Sequence, residues 1–435
     1  MLKGNRLQGL CVALLFFGCT AAFAQKTTVK FDFGSGKVAK GFTGATAKDV
    51  YSEAKGYGFE PATPVTAVDR GSKDALKGDF VTSEKPFYFS VKVPEGNYKV
   101  TVTLGDPKGK SATTVKAESR RLMLENIQTQ AGQSVSKTFI VHIKDRKIND
   151  TKQVSLKPRE LTKLDWDNKL TLEFSQKPAL AAVEITKVED QITVFLAGNS
   201  TVVNQEDEPW ASWGQMIPRF FKPGVAIANH AESGLSLGSF IGSHRLEKIL
   251  SVLKLGDYVF VEFGHNDEKE KGPNAGPYKS YTERLRLFAS EVKSKGGHLV
   301  ILTPTARRSF NEQGDMTNSH GDYPDAAKKV AEQEKVPLID LTAHTTTLYE
   351  TLGVEGSKNA FVIYPEQNLN DNTHFNPYGA YQIAKMVAEG IKAHNLNLAA
   401  YLQELPTYDP KKPDPFKNFN WPPSPSASLL KPDGN

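Results

Sequence analysis

The sequence predicts a two-domain chain in which an all-β sandwich precedes an α/β domain with a parallel sheet. From Thr27 to about Val188, apolar and polar residues alternate in short runs, which is typical of antiparallel strands with one buried face. After Glu189, continuous apolar runs alternate with segments of helical period, which indicates stacked β–α units. The chain has 435 residues, enough for two hydrophobic cores.

The first 24 residues have the pattern of an export signal. Lys3 and Arg6 precede an apolar run from Leu10 to Phe17, and Ala22-Phe23-Ala24 is a small-x-small cleavage site. The apolar run is shorter than the roughly 20 residues that span a bilayer, and no later run approaches that length. We therefore expect a periplasmic or secreted protein without a membrane span. Lipid anchoring at Cys19 is the less favoured alternative, because bulky residues precede it.

Cysteine usage and charge narrow the function classes. Both cysteines, Cys11 and Cys19, lie in the predicted leader, so the mature protein would have no thiol nucleophile, thiolate metal site or disulfide. The formal net charge is +5, and the loss of Lys3 and Arg6 with the leader lowers it further. A charge this small does not favour nucleic acid or an anionic membrane as a partner.

Residues 25–189 form the predicted β-sandwich. The alternating runs PFYFSVKV and NYKVTVTL are joined by the turn cluster Pro94-Glu95-Gly96-Asn97, and three further runs of the same kind follow. These further runs are SKTFIVHI, KLTLEF and LAAVEITKV.

Residues 190–402 form the predicted α/β domain, and residues 403–435 a Pro-rich extended tail. In the α/β domain the predicted strands are 192–197, 225–229, 257–263, 298–303 and 336–341. Apolar residues at helical spacing lie between them, beginning with Trp210, Trp213, Ile217 and Phe220. The last helix has Asn376 as a predicted cap and Pro377 in its first turn.

Polar residues follow each predicted strand, where the carboxyl ends of parallel strands form a common ligand-binding edge. They are Gly198-Asn199-Ser200-Thr201 after the first strand, Asn229 and Ser233-Gly234-Leu235-Ser236 after the second, Gly264-His265-Asn266-Asp267 after the third, Thr303 to Arg308 after the fourth, and Asp371-Asn372-Thr373-His374 before the last helix. We expect these side chains to converge, although the sequence separates them widely.

These residue types are the components of a serine hydrolase. A serine hydroxyl needs a base to remove its proton, and an imidazole base needs a carboxylate on its other nitrogen. Ser200, His374 and Asp371 fit these roles, because Asp371 lies three residues before the histidine and a tight loop can fold it back. The backbone N–H groups of Ser200 and Gly234 and the Asn266 amide could stabilise the oxyanion.

Each of these residues also has an alternative interpretation. His374 could be a helix-cap residue, Gly234 only a turn glycine, and His265 itself the base. A zinc site from His265, His320, His374 and Asp371 is conceivable, but no ligand spacing supports it. Gly234-Leu235-Ser236-Leu237-Gly238 matches the GxSxG elbow formally, yet polar residues separate Ser236 from the preceding strand.

Four sequence blocks together resemble the SGNH (GDSL-like) hydrolases: Gly198-Asn199-Ser200-Thr201, Asn229 with Gly234, Gly264-His265-Asn266-Asp267, and Asp371-x-x-His374. Within these hydrolases, VEFGHND and DNTHFNPYGA are most similar to the rhamnogalacturonan acetylesterases. The resemblance covers about 190 to 395 and implies a three-layer α/β/α fold. It implies Ser200 as nucleophile, His374 as base and Asp371 as its partner, with Ser200, Gly234 and Asn266 as the oxyanion hole. The N-terminal region, with FDFG and GYGFE, resembles a galactose-binding-like sandwich. One departure is Asn199, where the family pattern has aspartate.

The resemblance implies an exported carbohydrate esterase that removes acetyl groups from pectic polysaccharide, most closely rhamnogalacturonan, without a metal or cofactor. A sugar platform of Trp210 and Trp213 is one hypothesis, although their spacing equally indicates core residues. Arg307 and Arg308 could bind galacturonate carboxylates, or simply lie in a solvated loop. A non-catalytic carbohydrate-binding protein and a general short-chain or lipid esterase are the alternative functions.

Overall fold

The computed structural model describes residues 28–61, 65–404 and 406–432. The predicted leader, with Cys11 and Cys19, lies outside these residues. Within the described ranges, no helix is both long enough and apolar enough to cross a bilayer.

The N-terminal domain is a sandwich of two β-sheets. Its strands are β1 (Thr28–Phe33), β2 (Thr43–Ala45), β3 (Tyr57–Phe59), β4 (Thr66–Asp69), β5 (Asp79–Thr82), β6 (Phe87–Lys92), β7 (Gly96–Leu104), β8 (Ser111–Ala117), β9 (Arg121–Thr129), β10 (Val135–Ile143), β11 (Lys169–Lys177) and β12 (Leu180–Val188). One sheet has the order β10-β7-β12-β1-β2, with β5 and β4 attached through β12. The other has the order β3-β6-β11-β8-β9. All five strands predicted from the alternating runs are present.

Alternation of apolar side chains explains this packing. In β7, Val100, Val102 and Leu104 are fully buried between the sheets. Phenylalanines from several strands fill the centre, with edge-to-face contacts such as Phe33 on Phe89 at 4.9 Å between ring centroids. Burial of each such ring stabilises the fold by about 1.5–3 kcal/mol.

The second domain contains a parallel sheet of five strands with the order β14-β13-β15-β16-β17. The strands are β13 (Ile192–Gly198), β14 (Val225–Asn229), β15 (Tyr258–Glu262), β16 (His298–Leu302) and β17 (Leu338–Ile339). All five were predicted, but β17 is much shorter than 336–341. Pro337 has no N–H to donate, and Asp340 caps the next helix by accepting from Ala343 N–H, so the chain leaves the sheet early.

Helices cover both faces of this sheet. They are α1 (Trp213–Met216), α2 (Leu237–Gly242), α3 (Arg245–Val252), α4 (Thr282–Ser294), α5 (Tyr323–Glu334), α6 (Leu341–Gly356) and α7 (Pro377–Ala393). Val194 and Leu196 of β13 pack in a core with α1, α6 and α7, whereas Phe195 and Ala197 pack in a second core with α2 to α5. The predicted three-layer α/β/α arrangement is confirmed. A hairpin of β18 (Phe361–Tyr364) and β19 (Leu369–Phe375) precedes α7.

The apolar period from Trp210 to Phe220 does not form one helix. Only α1 is α-helical, and a 3₁₀ turn over Ile217–Phe220 follows it. Pro218 explains the change, because a proline inside a helix removes one hydrogen bond and collides with the preceding turn. Asn376 caps α7 as predicted, accepting from Gly379 N–H at 3.1 Å.

The C-terminal segment, residues 406–432, runs along both domains. Trp421 donates its Nε1–H to Glu208 Oε1 of the second domain at 2.9 Å. Ser424 is buried against Glu173 of the sandwich, with its Oγ 2.7 Å from Oε2. The segment has the extended character that its prolines predict, and it also connects the two domains.

Candidate active site

The turn after β13 presents Ser200 at the carboxyl edge of the sheet. The strand ends at Gly198, where a Cβ atom would lie only 2.4 Å from Val202 Cγ2 and 3.1 Å from Glu262 O. Glycine therefore allows the chain to turn back tightly against its neighbours. The Ser200 carbonyl accepts from Gln205 Nε2 at 2.9 Å, which fixes the loop from its other side.

Ser200, His374 and Asp371 form one chain of hydrogen bonds. Ser200 Oγ lies 2.8 Å from His374 Nε2, and His374 Nδ1 lies 2.8 Å from Asp371 Oδ2. With a proton on Nδ1 directed at the carboxylate, Nε2 is left to accept the serine proton. The sequence separation of 174 residues between Ser200 and His374 is closed by the fold, as the strand-end argument predicts.

The Asp371 carboxylate is held by the loop that it begins. Its Oδ1 accepts the backbone N–H groups of Thr373 at 2.8 Å and His374 at 2.9 Å, which leaves Oδ2 for the imidazole. Burial opposes ionisation, but the hydrogen bonds from His374 and from these N–H groups outweigh it and hold the pKa of Asp371 well below its usual range. Asp371 is therefore an anion at neutral pH.

Trp210 packs beside the imidazole. Its ring meets the His374 ring edge-to-face, with centroids 5.7 Å apart and planes at 87°. Its Nε1–H donates to Ser428 O of the C-terminal segment at 2.8 Å. The indole of Trp210 thus packs against the His374 ring, and the C-terminal segment covers the indole.

The predicted oxyanion donors lie on loops that are bonded to each other. Glu232 N–H donates to Gly198 O at 3.3 Å, and Asn266 Nδ2 donates to Leu235 O at 3.0 Å. Gly234 adopts φ +78°, a conformation that favours glycine. An amide nitrogen carries two hydrogens, so Asn266 keeps a second one for a developing oxyanion.

The sugar-platform hypothesis for Trp210 and Trp213 is wrong. The two residues are only 2% and 1% exposed, so neither presents an open ring face to a sugar. Trp213 lies in the core and donates Nε1–H to Glu262 Oε2 at 2.5 Å. Their alternative role as core residues fits Trp213, whereas Trp210 is buried beside His374 and lines the adjoining crevice.

Arg307 and Arg308 are both held by groups of the protein. Arg307 pairs with Glu268 at 2.5 Å and donates to Ser319 O at 2.9 Å. Arg308 donates Nε–H to Ser357 Oγ at 3.0 Å and also contacts Val354 O. A carboxylate of a substrate would have to compete with these partners.

The rival sites differ from the Ser200 site in their hydrogen bonds. Ser236 caps α2, and its Oγ donates to Glu270 Oε1 at 2.7 Å. His265 is buried against His320, with ring centroids 4.4 Å apart, and neither of its ring nitrogens has a hydrogen-bond partner among the described residues. Burial lowers the pKa of His265 well below its usual value. The described residues contain no group of three or more His, Cys, Asp or Glu side chains arranged to hold a metal ion.

Three residues around the site were not predicted from the sequence. Glu262 ends β15 behind the nucleophile loop, and its signal is a carboxylate inside the apolar run DYVFVEF. Gln205 bonds the Ser200 carbonyl. Lys431 of the C-terminal segment places Nζ 3.2 Å from Asp371 Oδ2, and no local pattern indicates this contact.

A crevice of about 320 Å³ opens beside the site. Its walls come from the sandwich-side segment 157–163, the loop after Ser200, the Gly234 loop and the C-terminal segment. They include Arg159, Lys163, Gln205, Glu206, Ser233 and Lys431. Burial raises the pKa of the Glu206 carboxyl to about 7. Both domains therefore contribute to this crevice.

Two family matches cover most of the chain. Residues 196–381 match the GDSL-like lipase/acylhydrolase family, and residues 29–152 match the β-agarase/YxiM esterase-like, galactose-binding-like domain. The first range contains all four sequence blocks on which the SGNH resemblance depends, and the second contains FDFG and GYGFE.

Individual relatives agree with these matches. The chain is 43% identical to the rhamnogalacturonan acetylesterase RhgT of Bacillus subtilis over 220 residues, which is 48% of this chain and 94% of that protein. It is 28% identical to the esterase YxiM of the same bacterium over 86% of this chain and 93% of that protein. The crystal structure of YxiM is similar over 85% of this chain and 99% of that chain, with 26% identity and a TM-score of 0.46.

Proposed function

Since the chain belongs to the GDSL-like lipase/acylhydrolase family and is a carboxylic-ester hydrolase with an N-terminal galactose-binding-like domain, we propose that it removes acetyl groups from rhamnogalacturonan. The observation that carries the proposal is the hydrogen-bonded chain from Ser200 through His374 to Asp371. The name of the relative at 43% identity supports this substrate.

In the proposed mechanism, Ser200 Oγ attacks the acetyl carbonyl while His374 Nε2 takes its proton. Asp371 stabilises the resulting imidazolium through Nδ1. The carbonyl oxygen becomes an oxyanion, which the N–H groups of Ser200 and Gly234 and the Asn266 amide stabilise. The imidazolium then gives its proton to the sugar oxygen, and the alcohol leaves.

The acetyl-enzyme is resolved by water. His374 takes a proton from the water as its oxygen attacks the acetyl carbonyl, and the same donors hold the second oxyanion. Collapse returns the proton to Ser200 Oγ and releases acetate. Both half-reactions balance with the side chains of this site alone, so they call for no cofactor.

Export is part of the proposal. The charged start, the apolar run Leu10 to Phe17 and the cleavage site at Ala24 support a periplasmic or secreted protein. We expect the mature protein to begin at Gln25, which N-terminal sequencing of the exported product would test. A mature N-terminus at Cys19 would instead establish lipid anchoring.

Turnover of an aryl acetate tests the nucleophile. We expect the wild type to be active, Ser200→Ala to lose at least about 10⁴-fold in kcat, and Ser236→Ala to keep wild-type turnover. Activity that survives Ser200→Ala and disappears in Ser236→Ala would refute the assignment. An inactive wild type would favour a carbohydrate-binding role.

Acetate release then tests the substrate. The purified protein is given acetylated rhamnogalacturonan, acetylated xylan and a long-chain acyl ester at equal ester concentration. We expect the highest kcat/KM on rhamnogalacturonan. A preference for the long acyl chain would defeat the polysaccharide proposal, and a preference for xylan would change only the substrate.

A further inference from the structure

Behind the nucleophile, a buried carboxylate is connected to the loop by one hydroxyl. Thr201 Oγ1 lies 2.9 Å from Glu262 Oε1 and 2.9 Å from Asn199 Oδ1. Glu262 is fully buried, and its other oxygen accepts from Trp213 Nε1–H. Thr305 N–H also donates to Oε1 at 3.2 Å.

The contacts among Thr201, Asn199 and Glu262 determine which of them must supply each hydrogen. Thr201 N–H donates to Asn199 Oδ1 at 3.1 Å, so the oxygen of that amide faces Thr201 and the NH₂ faces away. Both heavy-atom neighbours of Thr201 Oγ1 are then oxygens, and the hydroxyl has a single hydrogen. Both short contacts are hydrogen bonds only if Glu262 supplies the second hydrogen from its own carboxyl group.

The surroundings favour that neutral form. Burial raises the pKa of the Glu262 carboxyl to about 7, although Trp213 Nε1–H and Thr305 N–H donate to it. Among the described residues, no cationic side chain forms an ion pair with it. Of the titratable side chains near it, Tyr281 and Tyr349 have pKa values raised well above 10, and Arg307 and Arg308 of the adjacent loop bind other groups.

We propose that Glu262, as a neutral acid, is a positioning residue for the nucleophile. It donates to Thr201 Oγ1, and Thr201 donates to Asn199 Oδ1. This relay of two hydrogen bonds, from Glu262 through Thr201 to Asn199, fixes the turn that carries Ser200. The proposal rests on the proposed function, in which Ser200 is the nucleophile.

Ionisation of Glu262 breaks this relay. The Thr201 hydroxyl then turns its only hydrogen to the carboxylate, and Asn199 Oδ1 keeps only the backbone N–H of Thr201. The turn loses one of its internal hydrogen bonds next to Ser200, and a small misplacement of a nucleophile lowers the rate strongly. The relay is intact below the pKa of Glu262 and is lost as pH rises through it.

Asn199 fits the same arrangement. An aspartate at this position would bring a second carboxylate to the same hydroxyl, and its charge would further oppose ionisation of Glu262. With asparagine, Glu262 titrates nearer neutral pH. Asn199, the residue that departs from the family pattern, thus determines the pH at which the relay is lost.

The pH dependence of kcat on an aryl acetate tests the proposal, with thermal unfolding as a check of folding. We expect the wild type to lose activity with an apparent pKa near 7, on the alkaline side of its profile. Glu262→Gln should lack this alkaline loss, because its amide N–H replaces the acid O–H and does not ionise. Its kcat at pH 6 should stay within about tenfold of the wild type, because an NH₂ group that donates to Thr201 leaves Thr305 N–H without its acceptor. In Asn199→Asp the alkaline loss should move to higher pH.

Two threonine variants complete the design. Thr201→Ser keeps the hydroxyl and should match the wild type within about threefold. Thr201→Val keeps the volume and should lose about tenfold at pH 6, where the wild-type hydrogen bonds are intact, and should lack the alkaline loss because it has no hydroxyl at any pH. An alkaline loss that persists in Glu262→Gln, or an equal loss in both threonine variants, would overturn the proposal. Turnover that survives Ser200→Ala would instead refute the proposed function, so the two failures are distinguishable.

Discussion

Asp371 lies three residues before His374, and the loop between them fixes how the carboxylate meets the imidazole. The backbone N–H groups of Thr373 and His374 occupy Oδ1, so only Oδ2 remains for the imidazole. The carboxylate therefore selects the tautomer with its proton on Nδ1. Lys431, 3.2 Å from the same Oδ2, adds a positive charge at the edge of the site.

Asp371→Asn should lower kcat on an aryl acetate by about 10⁴-fold while KM changes little. The amide NH₂ of asparagine favours the tautomer with its proton on Nε2, which cannot accept from Ser200. Steady-state kinetics measures the effect, and thermal unfolding establishes that the variant folds. Asp150→Asn, at a side chain that is 95% exposed, is the matched control and should behave as wild type. A loss below tenfold in Asp371→Asn would contradict the role of the carboxylate.

The sequence predicted the residues that meet at the strand ends better than the aromatic residues around them. Ser200, His374 and Asp371 converge because parallel strands end at one edge, and this follows from topology alone. Whether the Trp210 ring is open to substrate depends on what packs over it. Its Nε1–H bonds to the carbonyl of Ser428, more than 200 residues away in the C-terminal segment. No local pattern contains that contact.

At the scale of elements, apolar runs predicted the strands, and local chemistry set their ends. Pro337 and the cap Asp340 shorten β17, and Pro218 ends α1 after one turn. The sequence contains these signals, but the apolar pattern alone does not show which of two competing signals prevails.

The 3₁₀ segment Pro158–Thr162 between β10 and β11 binds the Gly234 loop. Glu232, fully buried in that loop, pairs with Arg159 at 2.7 Å and Lys163 at 2.9 Å. Burial alone would favour the neutral acid, but the charges of Lys163 and Arg159 lower the pKa of Glu232 to about 2. The element thus holds one wall of the crevice through a buried ion cluster.

Glu232→Gln should lower the free energy of unfolding by about 3 kcal/mol at pH 7, because it removes the buried negative charge that Arg159 and Lys163 contact. The folded pKa is below the ordinary value of 4.5, so the stabilisation is complete above that value and is lost as pH falls toward 2. Chemical denaturation of both proteins between pH 2 and 7 measures the difference.

The exposed Glu312→Gln provides the control for this experiment. We expect it to stay within about 0.5 kcal/mol of wild type at every pH, as is usual for surface substitutions. A difference for Glu232→Gln that stays constant down to pH 2 would show that the cluster does not depend on its charge.

At the scale of the whole molecule, the two domains are joined by buried charged groups. Arg121 donates to Ile227 O of β14 at 2.9 Å, and Arg120 pairs with Glu208 at 2.6 Å. Periodicity predicted two separate cores but not this interface, because no local pattern shows that the charged side chains of Arg120 and Arg121 are buried. The interface and the C-terminal segment together bring sandwich residues to the crevice.

Arg245 offers the clearest test of whether this interface couples the stabilities of the two domains. At the start of α3 it is fully buried, donates to both oxygens of Glu160 at 2.7 and 2.6 Å, and also to His230 O at 3.0 Å. Glu160 lies on the sandwich-side 3₁₀ segment. Removal of the guanidinium leaves the buried Glu160 carboxylate without this partner, which typically costs about 3–5 kcal/mol.

We therefore expect the wild type to unfold in one calorimetric transition and Arg245→Leu to unfold at lower temperature in two, as the domains separate. Arg286→Leu, at a partly exposed arginine of α4 that bonds Gln333, is the control and should keep the single transition. The double variant Arg245→Leu with Glu160→Leu should recover part of the loss, because no unpaired charge then remains buried. Two transitions in the wild type would show that these ion pairs join the domains without coupling their stability.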